Sequence, residues 1–475
     1  MANTKMLWGG RFSATPKGAV RAFLSSENIC LDARLVPYDI EGSIAHVAML
    51  CKQGILKKQE AAPILKALSQ LSSKSQKNEF LLDAELEDVH MNVEAETTKL
   101  TQEAKKMHTA RSRNDQVSVD TRLYLRDEIN KTSKSLILLI KEIAFLSKRK
   151  TIFPSYTHMQ VAQPITLSFY CRAYADAFTR DFSRLSECYS RINLNPLGAG
   201  AVAGTTWNID REHTAKLLGF SGVQQSPLDV VTSRGEMEAE LIFALTMLLT
   251  HTGRIAEDIC FLSAKRLAIL SDATSTGSSM MPQKKNPDPM ELLRGKTARM
   301  HGLLMHSLSL MKGLPSGYNM DTQESNYAVM HALDTAQECI PVLCEVLATI
   351  DFDPEAIKEE LEKGYACATE LADLLARKGV PFRSAHEITG KLVKGCVAKR
   401  KYLSTLTANE VSAVSKVKIS DSELKNVLNV DKTARMHSPI SPEFISPLQK
   451  AVSEREEKIS AAKKLLEKEV KQITG

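Results

Sequence analysis

A long stretch without glycine or proline, from Arg111 to Phe153, most constrains what this chain can fold into. Its apolar residues recur in alternating steps of four and three, as in Leu125, Ile129, Thr132 and Leu136, where threonine fills one apolar position. This spacing is typical of one face of an α-helix. A 30-residue helix would be about 45 Å long and would need neighbouring helices to bury such a face. The stretch therefore predicts a bundle of long helices.

Two further segments carry the same periodicity, from about Gly235 to Leu270 and from about Pro289 to Met311, and a charged final helix is expected over Ser441 to Thr474. Only 22 glycines, 17 prolines and 5% aromatic residues occur, which disfavours an all-β fold. We predict an all-α chain of three domains: residues 1–110, a central long-helix bundle over 111–361, and residues 362–475.

The charge pattern and the cysteines exclude several classes of protein. The net charge of +6 is spread along the chain, with no basic stripe or nucleic-acid-binding motif, so no nucleic acid partner is expected. No apolar run is long enough for a membrane span, and the N-terminus lacks the apolar core of a signal peptide. Nine scattered cysteines without a C-x-x-C pair indicate reduced thiols and a cytoplasmic protein, with no zinc site.

The loops between the predicted helices are where functional residues are expected, since a rigid scaffold can position them there. The glycine-rich segment Gly198–Gly204 superficially fits a dinucleotide-binding pattern, but Asn195-Pro196 stands where a buried strand would be needed. A tight loop that brings its backbone close to a ligand or to a neighbouring helix is the favoured interpretation.

Two histidines have both a structural and a functional interpretation. His90 and Glu94 are one helical turn apart and could bind a metal, but no converging ligands are evident, so a structural or site-lining hydrogen-bonded pair is favoured. His158 lies in a segment bounded by Pro154 and Pro164, which is expected to be extended. Taken alone, His158 would more often be a structural histidine than a functional one.

The segment from Gly277 to Pro287 is the most informative one in the chain. It combines a Gly-Ser-Ser head with Lys284, Lys285 and Asn286, and a helix is expected to begin just after it, with Glu291 in its first turn. A flexible linker could have such a head. Two lysines and an asparagine between prolines are more typical of a mobile lid that holds an anion.

Gly277-Ser-Ser-Met-Met-Pro-Gln-Lys-Lys-Asn286 resembles the fingerprint of the fumarase/aspartase superfamily, whose members release fumarate from succinyl compounds. Its Gln-Lys-Lys-Asn form is similar to that of the argininosuccinate lyase branch. The resemblance extends from about residue 7 to the end of the chain. Further segments that match this branch are Leu7–Phe12, Glu87–His90, Arg111–Val117, Thr157–Pro164, Gly198–Gly204 and Asp210–Glu212.

The resemblance implies a β-elimination that converts argininosuccinate into arginine and fumarate, with no cofactor and no metal. It makes Ser278 the base, and a serine can serve only if Lys284 and backbone N–H groups favour its alkoxide. Lys284 and Asn286 would hold a substrate carboxylate, and His158 would pair with Glu291. Whether His158 or its neighbour Thr157 handles the second proton stays open.

The resemblance also implies a homotetramer whose core is the helical bundle and whose sites are each shared among three chains. The small-molecule substrate would then meet residues from several loops. The expected substrate-binding residues are Asn28, His90, Arg113, Asn114, Thr157, Gln163, Asn286, Tyr318, Gln323 and Asn326.

Four positions depart from the family pattern. The family usually has serine at Asn28, glycine at Ala110, lysine or arginine at Met320, and lysine at Asn326. The loss of two cations leaves two alternatives to the main hypothesis: a related lyase acting on another N-substituted succinate, and a non-catalytic protein like the lens crystallins of this family. The intact proton-transfer residues make the second alternative the weaker one.

Overall fold

The fold is predominantly helical, as the sequence predicts. A computed structural model describes residues 19–20, 23, 31–83, 85–86, 88–436 and 438–475. These described residues contain 17 α-helices and six short strands, so the all-α prediction is confirmed. None of their helices is both long enough and apolar enough to cross a lipid bilayer. Every cysteine among them is a free thiol.

The first helices form a small layer against the central part of the chain. Their bounds are α1 (Val36–Lys52), α2 (Lys58–Gln76) and α3 (Val89–Leu100). Helix α1 packs against α2, and it also contacts the first long helix of the central part. Its buried face includes Ile40, Val47 and Leu50.

The central part contains seven helices, of which five are long. In chain order they are α4 (Arg113–Leu146), α5 (Leu167–Ile192), α6 (Arg211–Leu217), α7 (Pro227–Thr232), α8 (Glu236–Ala264), α9 (Asp288–Met311) and α10 (Glu324–Thr349). The five long helices pack against one another along their lengths, with α8 in contact with α5, α9 and α10. The predicted long-helix bundle is therefore present.

The last part of the chain is a set of shorter helices and one long one. They are α11 (Pro354–Lys363), α12 (Ala368–Arg377), α13 (Phe382–Lys399), α14 (Ala408–Ser415), α15 (Asp421–Val427), α16 (Val430–Thr433) and α17 (Pro442–Thr474). Helix α17 returns to pack on α1, α2 and α4, where Lys463 Nζ lies 3.6 Å from Glu41 Oε2. The domain boundaries at 110 and 361 stay a prediction.

The strands are short and pair only locally. They are β1 (Ile152–Thr157), β2 (Gln160–Thr166), β3 (Ala268–Ile269), β4 (Thr276–Gly277), β5 (Lys285–Asn286) and β6 (Asp351–Phe352). They form the antiparallel pairs β1–β2, β3–β6 and β4–β5. The segment between Pro154 and Pro164 is thus extended, as predicted. Single 3₁₀ turns occur at Ala33–Leu35, Gln102–Lys106, Asp272–Thr274, Met320–Gln323 and Leu403–Thr405.

The long helices alternate in direction, which gives the bundle two distinct ends. At one end, which we call the cleft end, Gly235 before α8 packs against Met311 at the end of α9, where an added Cβ would lie 3.3 Å from Met311 Cγ. At the other end, which we call the hairpin end, Arg149 after α4 donates to the carbonyl oxygen of Ile350 after α10, at 2.7 Å. Predicted site residues lie at both ends.

Candidate active site

A cleft of about 530 Å³ opens at the cleft end of the bundle. Six of the predicted substrate-binding residues line it: His90, Arg113, Asn114, Tyr318, Gln323 and Asn326. These residues come from three separate parts of the sequence, and the fold brings them together. The lining also contains Met320, one of the positions that depart from the family pattern, and residues that the sequence did not single out: Asp32, Asp88, His108 and Arg234.

The glycine-rich loop closes over the N-terminus of α4. The backbone N–H groups of Gly198 and Gly200 each donate to Asp115 Oδ2 at 2.9 Å, and Asn114 Nδ2 donates to the carbonyl oxygen of Ala201 at 3.1 Å. Gly200 has φ +61°, and an added Cβ there would lie 2.6 Å from the carbonyl oxygen of Gly204. The predicted close approach of this loop to a neighbouring helix is what the structure shows.

Helix α4 begins where it does because of its own polar residues. Ser112 Oγ accepts from the Asn114 N–H, and Asp115 Oδ1 accepts from the Ser112 N–H at 2.9 Å, which together form a capping box. The Asp115 carboxyl therefore holds both the helix start and the glycine-rich loop. Burial raises its pKa, and the N–H donors of Gly200 and Ser112 partly offset that rise.

His90 sits at the floor of the cleft with a partner that the sequence did not predict. Its Nδ1 is hydrogen-bonded to Asp39 Oδ2, and Asp120 Oδ2 lies 3.4 Å from the same nitrogen. The pairing expected with Glu94 is therefore corrected: both residues line the cleft, but the hydrogen bond of His90 goes to Asp39. The reason is that α1 and α4 bring two carboxyl groups against the first turn of α3, where local spacing along the sequence could not reveal them.

Asp39, His90 and Asp120 form a fully buried cluster that shares charge. Burial disfavours a charged imidazole, but Asp39 and Asp120 outweigh this and raise the pKa of His90. Burial alone would raise the pKa of Asp39, yet His90 and Arg111 lower it to about 2. Burial and repulsion by Asp39 raise the pKa of Asp120 well above its usual value. The shifts favour an ionised Asp39 and favour the protonated forms of His90 and Asp120.

The same cluster has to be considered as a metal site. Among the described residues it is the one group of this kind, with ligand atoms within 4.8 Å of one another. The donor set argues against this use, since His90 Nδ1 is engaged with Asp39 and the Arg111 guanidinium adds positive charge beside it. We therefore treat the cluster as a hydrogen-bonded charge network.

Arg234 was missed by the sequence analysis because it belongs to none of the matching motifs. It lies in the turn before α8, where Gly235 adopts a left-handed φ of +88°. Its guanidinium carbon lies 4.7 Å from the centroid of the Tyr318 ring, which is cation–π geometry. The turn and the ring together direct this arginine into the cleft.

His158 lies at the hairpin end of the bundle. It and Met159 form the two-residue turn between β1 and β2, and both have positive φ, +51° and +63°. Such a turn matches the twist of a hairpin, although asparagine and glycine are the residues that usually accept it. Tyr156 packs on Phe261 near the end of α8, with ring centroids 5.0 Å apart. Thr157 and His158 are exposed at this tip.

Ser278 also lies at the hairpin end, in a loop held by β4 and β5. Its Oγ accepts hydrogen bonds from the backbone N–H groups of Met280 and Met281, at 3.3 and 3.0 Å. Lys284 is exposed in the same loop, whereas Lys285 Nζ is bound to Asp272 Oδ1 at 2.7 Å. The loop thus presents a serine oxygen with two donors already directed at it, next to a solvent-facing ammonium group.

The remaining predicted residues at this end are not joined to one another within one chain. Glu291 has Arg294 as its ion-pair neighbour, at 3.7 Å, and no hydrogen bond to His158 occurs among the described residues. Gln163 Nε2 lies 3.4 Å from Glu370 Oε1, and Asn286 is in β5. The predicted His158–Glu291 pair is therefore not formed within one chain. Asn28 and the segment Leu7–Phe12 lie outside the described residues.

The predicted proton-transfer residues and the cleft are far apart. Helix α8 separates the hairpin from Arg234, and its 29 residues span about 43 Å. Helix α9 separates the Ser278 loop from the cleft in the same way, over 24 residues or about 36 Å. One chain therefore carries two separate groups of candidate site residues, which we call the cleft half-site and the hairpin half-site.

Comparison with known proteins gives a consistent family. The lyase family matches residues 14–302, and the family described as argininosuccinate lyase C-terminal matches residues 365–435. Argininosuccinate lyase of Desulforamulus reducens is 46% identical over 86% of this chain and 90% of its own length. That of Moorella thermoacetica is 44% identical over 86% of this chain and 89% of its own length.

Solved structures agree with this at the level of the fold. An EDDS lyase in complex with formate superposes with a TM-score of 0.79 at 28% identity, covering 94% of this chain and 93% of that one. A class II fumarase from Schistosoma mansoni superposes with a TM-score of 0.72 at 17% identity, covering 86% of this chain and 94% of that one, and so shows the fold alone. With both family matches and relatives above 40% identity over most of its length, the chain belongs to the argininosuccinate lyase family.

Proposed function

We propose that this protein is a carbon–nitrogen lyase that converts argininosuccinate into arginine and fumarate by β-elimination. The observation that carries the proposal is the Ser278 loop, in which two backbone N–H groups are already directed at the serine oxygen. Such donors stabilise an alkoxide more than a neutral hydroxyl, and so they lower the pKa at which a serine hydroxyl ionises.

The elimination needs three kinds of help from the protein. A base removes the proton next to a substrate carboxylate, and we assign this role to Ser278. The doubly charged intermediate needs cations and N–H donors, for which Lys284 and Asn286 are placed in the same loop. An acid must protonate the leaving guanidinium nitrogen, and His158 or Thr157 at the hairpin tip can supply it.

The proposal requires more than one chain per site. The cleft half-site holds the residues suited to substrate recognition, and the hairpin half-site holds those suited to proton transfer. They are separated by tens of ångströms along α8 and α9, so no single chain can apply both to one small molecule. We propose a homotetramer in which bundles of different chains associate and bring unlike ends together.

Exposed apolar residues on the bundle surface support this assembly. Leu138, Phe145, Phe243, Leu292, Met305 and Leu308 lie on three of the long helices and are each at least 48% exposed. Large apolar side chains that line the outside of a bundle are costly in water and are typical of a surface that another chain covers. Helix-to-helix association would bury them in a tetramer core, with the protein working in the cytoplasm.

A fumarate-release assay tests the proposal directly. Purified protein is given argininosuccinate, adenylosuccinate, aspartate or malate in separate reactions, and fumarate is followed by its ultraviolet absorbance. Release from argininosuccinate alone is expected. No release from any of the four compounds would contradict the proposed enzyme and favour a non-catalytic protein.

Ser278→Ala tests the assignment of the base. The variant should lose several orders of magnitude in kcat, because it removes the group that we assign to take the proton. Ser279→Ala is the matched control, since it makes the same change one residue away and should keep most of the activity. Near-normal turnover by Ser278→Ala would remove Ser278 as the base.

A related lyase acting on a different N-substituted succinate is the second candidate. Met320 and Asn326 line the cleft where the family usually places cations, so the recognition half-site is altered while the Ser278 loop is intact. Similarity to an EDDS lyase shows that this fold accommodates other lyases. Efficient turnover of another compound in the panel, with none of argininosuccinate, would favour this candidate over the first.

A further inference from the structure

The β1–β2 hairpin that carries His158 is weakly supported by its own strand pairing. Pro154 lies opposite Pro164, and neither proline has a backbone N–H to donate across the pair. The register then shifts between Pro154 and Tyr156, which interrupts the ladder. At the tip, His158 and Met159 both adopt positive φ, a conformation that is unfavourable for residues with a Cβ. Since a two-stranded hairpin alone is marginally stable, contacts from other elements must hold this one.

One set of such contacts comes from the end of helix α8 and from helix α11. Lys265, directly after α8, places its Nζ 2.5 Å from Glu360 Oε1 on α11. The same ammonium group lies 5.8 Å from the ring centroid of Tyr156 in β1 and 5.4 Å from that of Phe261 in α8. Tyr156 itself packs edge-on against Phe261. The ion pair therefore lies against β1 two residues before His158.

Helix α11 supports the second strand of the hairpin as well. Gly364, directly after α11, packs against Val161 in β2, where an added Cβ would lie only 2.6 Å from the Val161 Cβ. Burial and the nearby Glu360 carboxylate raise the pKa of Tyr156, so that its phenol keeps its proton at neutral pH. One helix thus contacts both strands close to the tip.

The ion pair is too exposed to contribute much to the stability of the whole chain. The Lys265 side chain is 34% exposed and that of Glu360 is 21% exposed, and such pairs add little to folding. At the base of the hairpin, the backbone of Arg435 already pairs with Pro164 and Thr166. The ion pair acts nearer the tip, so its effect should be on the position of the tip.

We propose that Lys265 and Glu360 form a clamp that positions the hairpin, and so holds His158 where the second proton is transferred. The inference rests on the proposed function and goes beyond it by naming two residues that act on the proton-transfer group without touching the substrate. Both are positioning residues. Because recognition belongs to the cleft half-site, their loss should lower kcat and leave KM nearly unchanged.

The first experiment separates kcat from KM. Lys265→Met removes the charge but keeps an unbranched side chain, and kcat for fumarate release from argininosuccinate should fall about 10- to 100-fold. KM should stay within about twofold and the thermal midpoint within about 3 °C. Lys265→Arg keeps the charge and should retain most of the activity. Lys378→Met is the matched control, since Lys378 Nζ lies 2.8 Å from Glu423 Oε1 in a similarly exposed pair between α12 and α15, and both constants should be unchanged.

A double-mutant cycle tests whether the two residues act together. Glu360→Gln should lower kcat by a factor similar to that of Lys265→Met. The double variant Lys265→Met/Glu360→Gln should be no worse than either single variant, because the clamp is lost in all three. Effects on kcat that multiply in the double variant would show that the two residues act independently, and would overturn the clamp.

Gly364→Ala displaces the hairpin without changing the ion pair. The added Cβ must push Val161 and with it β2, so kcat should fall while KM stays nearly the same. Gly395→Ala in α13 is the control, since nothing lies within 4 Å of an added Cβ there. Normal turnover by Gly364→Ala would show that the position of the hairpin does not limit the reaction.

Hydrogen exchange tests the clamp without relying on activity. Backbone amides of residues 152–166 should exchange faster in Lys265→Met than in the wild type or in Lys378→Met, because a released hairpin opens more often. No fumarate release by the wild type overturns the proposed function, and the catalytic role of the clamp with it. Wild-type activity with an unchanged kcat in Lys265→Met, or with unchanged exchange at residues 152–166, overturns the clamp alone.

Discussion

Ala110 shows how a single residue can carry strain beside a functional site. It precedes the first turn of α4 and adopts a φ of +62°, a left-handed conformation that costs a residue with a Cβ about 1–2 kcal/mol. The family pattern usually has glycine here. The departure noted from the sequence therefore has a physical meaning: the backbone keeps the shape that glycine accepts easily, and alanine is strained in it.

Ala110→Gly should stabilise the protein. Relief of the strain exceeds the extra backbone entropy that glycine gives the unfolded chain, which leaves a gain of about 0.5–1 kcal/mol. A higher thermal midpoint, measured by calorimetry, is the expected result. Ala461→Gly in the exposed part of α17 makes the same chemical change in helical backbone and should lower the midpoint. Equal effects of the two substitutions would show that Ala110 is not strained.

The two aspartates beside His90 should contribute to the pH dependence of stability in opposite ways. Because the pKa of Asp120 is raised in the folded state, the folded protein holds this proton more tightly than the unfolded chain does, and stability through this group falls as pH rises from the ordinary 3.8 toward the raised value. The asparagine side chain in Asp120→Asn is uncharged at every pH and does not have to bind a proton on folding. Relative to wild type, the thermal midpoint of Asp120→Asn should therefore rise between pH 5 and pH 8.

Asp39→Asn should destabilise the protein at both of these pH values. The pKa of Asp39 is lowered to about 2, so its contribution to stability is present above 3.8 and is lost only as pH falls toward 2. The raised pKa of His90 adds stability that is present below pH 6.5 and lost as pH rises through the raised value. Removing one partner of a buried pair costs about 3–5 kcal/mol. Identical pH profiles for the two variants would contradict the assignment of charge within the cluster.

Among the elements, the glycine-rich loop and helix α4 act as one unit. Asp115 caps the helix and also accepts from Gly198 and Gly200, so the loop cannot move without disturbing the start of the helix. Asn114, which lines the cleft, is bound to the same loop. The position of Asn114 in the cleft therefore depends on a backbone conformation that glycine provides.

Gly200→Ala tests this dependence. A Cβ at this position would lie 2.6 Å from a backbone oxygen, so the loop must shift away from Asp115 and Asn114. The KM for argininosuccinate should rise tenfold or more, and the thermal midpoint should fall. Gly390→Ala in α13 is the control: nothing lies within 4 Å of an added Cβ, and helix propensity should raise stability by about 1 kcal/mol without affecting KM. An unchanged KM in Gly200→Ala would show that the loop does not support the cleft.

The elements differ in how well the sequence predicted them. Helices α4, α8 and α9 carry regular apolar stripes, and their positions were predicted to within a few residues at most ends. Helices α5 and α10 were missed. Both have a regular buried face at helical spacing, so the periodicity needed to predict them is present in the sequence; examples are Cys171, Phe178 and Leu185 in α5 and Ala336 and Leu343 in α10.

At the scale of the whole molecule, the sequence singled out candidate site residues but not their grouping. Ser278, His158 and Asn114 belong to short motifs, and short motifs can be recognised without knowledge of the fold. That Asn114 faces Tyr318 and Arg234, and lies a bundle length from Ser278, depends on the directions in which the long helices run. Asp39 beside His90 was missed for the same reason, because the two residues come from different helices.

Mixing two inactive variants tests the division into half-sites. Ser278→Ala damages only the hairpin half-site, and Asn114→Ala damages only the cleft half-site. If each site combines ends from different chains, some sites in a mixed oligomer contain two intact ends, and random mixing should restore about one quarter of wild-type activity. Co-expression of the two variants followed by a fumarate assay measures this. Activity no higher than that of the separate variants would contradict a site shared between chains.

The length of the bundle determines how far apart the two half-sites of one chain lie. Helices α8 and α9 fix how far the Ser278 loop lies from Arg234 in the same chain, and in the proposed tetramer the packing of chains must match that distance at every site. One additional helical turn would displace one end by 5.4 Å, well beyond the reach of a hydrogen bond. Insertions and deletions within the long helices should therefore preserve activity only when several of them together keep that distance unchanged. Outer helices such as α13 are free of this constraint.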